Sequence, residues 1–295
     1  MNDRKNITYR WEREELRKWS SLKKTAYLLL PLLIYFAVHD ISEILLWAGI
    51  EAMMSRGGEK IKSLLTENAY TVQGMVNGMA ILIGTASIWT AVSNEIKGED
   101  KRKGTIKEKG ICEKRITSYM FLGVLAFLSA VGINILFYQT GFTGSSQSFE
   151  QVYEMQYGVQ FMVGLFLYGI ISPFAEEAVF RGLIYNRMKR CFSYRIALIF
   201  SSLLFGFYHG NTVQAVYGIL LGMLIAYTYE QYKSFAAPVL FHGVANVSVY
   251  AMTYQNNLRD MNRQIALTTA TIMLAASMGL IFYIKKIMKK EESTE

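Results

Sequence analysis

Long apolar runs separated by short basic segments constrain this chain more than any motif. Such stretches lie near 25–47, 70–92, 118–138, 158–180, 195–211, 213–229, 235–252 and 265–284. A helix of roughly 20 apolar residues covers about 30 Å of hydrocarbon, so each run predicts a membrane span. The fold class expected is all-α, a polytopic membrane bundle of about eight helices. Two runs are irregular. The first is interrupted by His39, Asp40 and Glu43, and its second half is expected to bend into the interface or to pack inside the bundle. The fifth is short, with a tight turn to the sixth around Gly210 and Asn211.

Charge tests the count. The 295 residues are 52% hydrophobic and 18% charged, which is too apolar for an ordinary soluble domain. The net charge of +8 does not point to nucleic acid, because the basic residues sit in the gaps between apolar runs. That pattern suits an anionic membrane surface. With the N-terminus inside, 26 of the 31 Lys and Arg residues fall in inner segments, as the positive-inside rule requires. The sharpest contrast is between 93–117, with its Lys101-Arg102-Lys103 cluster, and 139–157, which has no basic residue. Residues 1–24 form a basic cytoplasmic segment without the small-residue cleavage site of a signal peptide. Its Tyr9, Trp11, Leu16 and Trp19 fit either an amphipathic helix on the inner leaflet or a plain basic flank. Residues 25–138 hold three spans, and 265–295 hold the last span and a basic cytoplasmic tail. Cys112 and Cys191 fall in the cytoplasm, where thiols stay reduced. The pairs Gly74/Gly78 and Gly218/Gly222 permit close helix approach.

Ionisable groups inside a bilayer are costly and mark function by default. Glu176 and Glu177 lie in the fourth span and Arg181 follows it, His209 ends the fifth, and His242 and Asn246 stand one turn apart in the seventh. Counting from the basic flanks at about 1.5 Å per residue places Glu176, His209 and Asn246 roughly 20 Å deep, with His242 in the same layer. Glu177 and Arg181 are four residues apart and pair along one helix, which makes them structural. Glu176 points about 100° away and is left freer, able to act as a general base on water. His209 is the natural partner for holding that water. His242 and Asn246 share a face and can donate to an oxyanion. The plainer reading is four unrelated groups that bridge helices. Pro173 sits where a helix can start or kink, with Ser172 as a possible cap; no Gly-x-Ser-x-Gly makes Ser172 a nucleophile. His39 and Asp40 carry no assigned role, and Arg187, Lys189 and Arg190 read as topology signals.

These residues resemble a known family. Glu176-Glu177-Ala-Val-Phe-Arg181 is similar to its Glu-Glu-x-x-x-Arg motif, Phe205-Gly-Phe-Tyr-His209 to its Phe-x-x-x-His, and His242-Gly-Val-Ala-Asn246 to its His-x-x-x-Asn. The family is CPBP, the CAAX-protease and bacteriocin-processing (Abi) membrane peptidases, which includes the Ras-converting CAAX endopeptidase. The resemblance covers about 158–252 and implies a catalytic core there, within an eight-helix bundle that hydrolyses peptide bonds in the membrane. It implies that Glu176 and His209 activate water while His242 and Asn246 form the oxyanion hole.

No cofactor is expected. The chain has no His-Glu-x-x-His helix, and Asn246 would be an unusual fourth ligand if Glu176, His209 and His242 held zinc. The expected partners are membrane lipid and a peptide or protein substrate entering from the bilayer, in the plasma membrane of a bacterium. The competing readings are a non-catalytic bacteriocin self-immunity or binding protein, and a small-solute or ion carrier. Buried Glu and His also serve proton relays, but no inverted repeat supports a carrier.

Overall fold

The computed structural model describes residues 14–16, 18–103, 113–255 and 261–294. Tyr9, Trp11 and Cys112 lie outside these, as does the 104–112 part of the basic 93–117 segment. Ten helices carry the fold: α1 (Ser21–Arg56), α2 (Glu59–Glu67), α3 (Ala69–Lys103), α4 (Glu113–Gln139), α5 (Gln147–Tyr157), α6 (Phe161–Cys191), α7 (Tyr194–Phe207), α8 (Thr212–Tyr232), α9 (Ala236–Tyr254) and α10 (Arg263–Thr294). The chain is thus an all-α membrane bundle.

Among the described residues six helices are long and apolar enough to cross a membrane: α1, α3, α4, α6, α8 and α10. The other two of the eight spans expected, α7 and α9, do not meet that measure, so the count of eight is not confirmed. Helix α7 has 14 residues, about 21 Å of helix, which is short of the hydrocarbon thickness. Helix α9 has 19 residues but spends several of them on polar side chains facing the bundle interior. A helix enclosed by others need not be apolar all round.

Helix α6 is the axis of the bundle. Every residue from 175 to 186 is buried, so all faces of this stretch are covered. It packs against α3 on one side and α9 on the other; α9 packs on α4, and α4 on α10. Helices α7 and α8 form a hairpin beside α6. The turn uses Gly210 at φ 73°, a left-handed conformation that glycine adopts without strain. Asn211 then caps α8 by accepting from the Gln214 amide at 2.9 Å.

Helix α1 corrects an expectation. It neither bends into the interface nor enters the core. It runs unbroken for 36 residues on the rim against α3, with only 6% of its most apolar stretch buried. Leu30, Leu33, Ile41, Ile44 and Leu45 project outward, as lipid contact requires. His39 points back to the bundle, 2.9 Å from Asp40 Oδ1 and 3.4 Å from Asn77 Oδ1, and this local pairing lets the polar residues sit in a long continuous helix.

At Pro173, where a start or a kink was expected, helix α6 does not start, and Ser172 is not its cap. The helix continues through Ser172 and Pro173, both helical, because it widens into π turns at Leu167–Ile171 and again at Ala178–Tyr185. In a π turn each amide reaches back five residues, as Ser172 N does to Leu167 O. The next amide would belong to Pro173, which has no N–H. The Tyr168 carbonyl is therefore left over within α6.

Candidate active site

The leftover carbonyl is where the site begins. Asn246 on α9 donates from Nδ2 to Tyr168 O at 3.0 Å. A carbonyl only accepts, so this contact fixes which end of the amide is nitrogen. It uses one of the two Nδ2 hydrogens and leaves the other available. The proline and π turn thereby orient a side chain on a different helix.

The approach of α9 to α6 is close because glycines meet there. A Cβ on Gly243 would stand 2.9 Å from the Gly169 carbonyl oxygen, and one on Gly169 would stand 2.4 Å from Val247 Cγ2. With the backbones this near, His242 reaches both adjacent carboxylates. Its Nδ1 lies 2.8 Å from Glu177 Oε1 and its Nε2 lies 3.7 Å from Glu176 Oε2. Glu177 Oε1 also accepts from Arg181 Nη1 at 2.9 Å, with both side chains fully buried. Arg181 Nη2 donates onward to the Gly222 carbonyl at 3.0 Å. The Glu177–Arg181 pair expected from the i, i+4 spacing is present, and it extends to His242. Buried charges persist in lipid only with such partners.

Glu176 is not as free as its helical position suggested. Ser172 Oγ donates to its Oε1 at 2.8 Å. Its Oε2 is buried with no hydrogen-bond partner. Ser172 therefore positions a carboxylate instead of capping a helix. His209 makes no direct contact with Glu176. Its Nδ1 lies 2.9 Å from the Phe205 carbonyl, which must accept, so Nδ1 carries the proton and Nε2 is the acceptor.

Glu176, His209, His242 and Asn246 all line one cavity of about 360 Å³. Glu177 and Arg181 do not; they stand behind it. The zinc alternative fits poorly. Among the described residues no three His, Cys, Asp or Glu side chains are grouped to hold a metal ion. The Nδ1 atoms of His209 and His242 are already engaged, and His209 stands apart from the other two candidates.

Residues 158–248 match the family model described as type II CAAX prenyl endopeptidase Rce1-like. That range contains all six residues described above. The chain is also 22% identical over 154 residues to a Bacillus subtilis protein named "Putative membrane peptidase YdiL", covering 51% of this chain and 62% of that one. No solved structure matches. Over its matched segment the chain is thus similar to the CPBP family of membrane peptidases.

The motifs name seven residues; the geometry gives a role to one of them, Phe205, and adds Ser172 and helix α5 to the site. Phe205 stands between the two imidazoles, edge-on to His209 at 5.1 Å and to His242 at 5.5 Å, and Arg181 lies 4.6 Å over its ring. A cation over an aromatic face is attractive, so the motif phenylalanine wedges the site. Ser172 is the first addition. The second is helix α5, whose Phe149, Val152, Tyr153, Gln156 and Tyr157 all line the cavity. That i, i+3, i+4, i+7, i+8 spacing was legible, as was Ser146 as its cap. The segment lay hidden because 139–157 reads first as a loop between spans.

Proposed function

We propose that this protein is an intramembrane endopeptidase that hydrolyses a peptide bond in a membrane-associated peptide or protein, using water and no metal. The observation that carries the reading is the convergence of Glu176, His209, His242 and Asn246 on one cavity, with Glu176 Oε2 unpartnered at its wall. Water held by Glu176 and by His209 Nε2 gives up a proton to Glu176 as its oxygen adds to the scissile carbonyl carbon. The carbonyl oxygen becomes an oxyanion. The second Nδ2 hydrogen of Asn246 donates to it, and so does His242 Nε2 when the ring carries both protons. Glu176 then returns its proton to the departing amine as the C–N bond breaks. Glu177 and Arg181 hold the His242 ring from behind. The same reading places the chain in a bacterial plasma membrane with both termini cytoplasmic, in line with its charge alternation.

The test is cleavage of candidate membrane peptides in detergent by wild type and by Glu176→Gln. Glutamine keeps the shape, can still accept from Ser172, and cannot take a proton. The variant should purify with unchanged melting temperature and lose about 100-fold or more in rate, the scale of lost general-base catalysis. Full activity in Glu176→Gln would overturn the assignment.

A further inference from the structure

We infer that the cavity is entered from the outer side of the membrane, beneath helix α5, and takes an uncharged extended peptide segment presented there. The inference deepens the peptidase reading and rests on it for the word substrate. Access to the cavity is a separate property that can be measured without turnover.

The two ends of the bundle differ in kind. At one end, ion pairs tie helix termini together. Glu95 on α3 pairs with Arg187 and Arg190 on α6. Lys189 pairs with Glu99 at 2.7 Å and with Glu230 at 2.5 Å. Tyr27 near the start of α1 accepts from Arg187 and Arg190, and Tyr232 near the end of α8 donates to the Ser118 carbonyl. This end carries the basic residues, and the positive-inside rule assigns it to the cytoplasm. The cavity lies toward the opposite end. It is lined by the first turns of α3 (Tyr70, Gln73), the last turns of α4 (Asn134, Phe137), the first turns of α8 (Val213, Gln214) and the second half of α9. These are the helix ends farthest along the chain from the belt. The belt closes the cytoplasmic end with charge, and the cavity belongs to the other half.

Helix α5 roofs that half. It contacts α3, α6 and α8, and six of its residues, Met155 included, line the cavity. Two contacts seat it on α3. Gln73 Nε2 donates to Met155 Sδ at 3.3 Å, and Gly158 lies so close to Tyr70 that a Cβ there would fall 2.3 Å from the ring. The lining also says what enters. It contains one carboxylate, Glu176, and no Lys, Arg or Asp among the described residues. It does contain Gln73, Asn77, Asn134, Gln156 and Gln214. Amide side chains both donate and accept, which suits a peptide backbone stripped of water. Apart from Glu176, which the proposed reaction uses, a charged side chain would find no carboxylate, lysine or arginine to pair with.

The experiment uses the full chain in cells, with Cys112→Ser and Cys191→Ser as background and one cysteine introduced at a time. Gln156→Cys reports the cavity face of α5, Glu150→Cys its outer face, and Lys97→Cys the end that carries the belt. A membrane-impermeant maleimide should label Gln156→Cys and Glu150→Cys in intact cells, and Lys97→Cys only after permeabilisation. Labelling of Gln156→Cys only from the cytoplasmic side overturns the inference. So does labelling of Glu150→Cys from outside with Gln156→Cys blocked from both sides. A second arm assays the purified protein on a peptide library, where cleavage should be lost when Lys or Asp flanks the cut. No cleavage of any peptide, with labelling as expected, would overturn the peptidase reading and leave the access result standing. Preference for charged flanks would overturn the substrate class.

Discussion

At the scale of single residues, the decisive contact is one imidazole bridging two neighbouring glutamates. Glu177 lies behind the cavity, yet its Oε1 serves both Arg181 and His242. Replacing it should therefore hurt in two separable ways. Glu177→Gln leaves Arg181 buried without a counter-charge, and breaking a buried pair on one side typically costs about 3–5 kcal/mol. Melting temperature and yield should fall. The double change Glu177→Gln with Arg181→Met removes both charges and should regain part of that stability. It should not regain rate, because a glutamine oxygen can accept from His242 Nδ1 but carries no charge to favour the doubly protonated ring that donates from Nε2, and a misplacement of about 1 Å can cost 100-fold. Thermal denaturation and specific activity on the three purified proteins check this; activity returning with stability would show that Glu177 acts through Arg181 alone. The pair was readable from spacing, since four residues along a helix bring Glu177 to Arg181. The reach of Glu177 to His242 was not, because it depends on the distance between α6 and α9. The partner proposed for water, His209, also bears on metal. With no three donors grouped among the described residues, activity should survive dialysis against a strong chelator. Loss on chelation that only zinc restores would contradict the water mechanism.

At the scale of helices, α6 shows what local irregularity does for function. Pro173 cannot donate, the π turn before it absorbs the defect, and the surplus Tyr168 carbonyl orients Asn246. The proline is visible in the sequence and suggests a helix start or a kink; the start is the part the structure does not show. That reading failed because propensity describes a residue alone, whereas here a side chain from α9 satisfies the carbonyl. Helix α5 failed to register for the opposite reason: its periodicity was present, but eleven residues are too few to span and were absorbed into a loop. The glycine contact between α6 and α9 offers a test at this scale. Gly243→Ala places a methyl 2.9 Å from the Gly169 carbonyl, closer than carbon atoms tolerate, so α9 must shift away. His242 and Asn246 sit on either side of that point and should move with it. The expected result is a folded protein with a rate reduced about 100-fold and little change in substrate affinity. Gly279→Ala on α10, where a Cβ meets nothing within 4 Å, should leave the rate unchanged. Equal behaviour of the two variants would mean that close packing of α9 is unimportant.

At the scale of the molecule, the bundle divides into a charged end that fixes helix ends and a neutral half that holds the cavity. The alternation of basic segments made the spans legible, and the three motifs made the layer of polar residues legible. The number of full crossings was less so, since hydropathy cannot tell a short helix in a hairpin from a span when both are apolar. Nor were the partners of the belt legible. Arg187, Lys189 and Arg190 looked like topology signals on their own, while their partners Glu95, Glu99 and Glu230 lie on α3 and α8. The division predicts that stability and catalysis can be perturbed independently. Glu95 accepts from two arginines on α6 and from Tyr27 on α1, with its side chain only 8% exposed. Glu95→Gln removes the charge both arginines share, so the variant should lose stability on the scale of a broken buried pair, about 3 kcal/mol. Its melting temperature should drop clearly. The cavity is built at the other half of α6, so the folded fraction should keep wild-type specific activity at a temperature well below the new midpoint. Glu177→Gln should show the reverse balance, with the rate falling even where the protein is fully folded. Measuring both variants across a temperature series separates the two effects. If Glu95→Gln slows the folded enzyme as much as Glu177→Gln does, the belt and the cavity are coupled through α6 and the two ends are not independent.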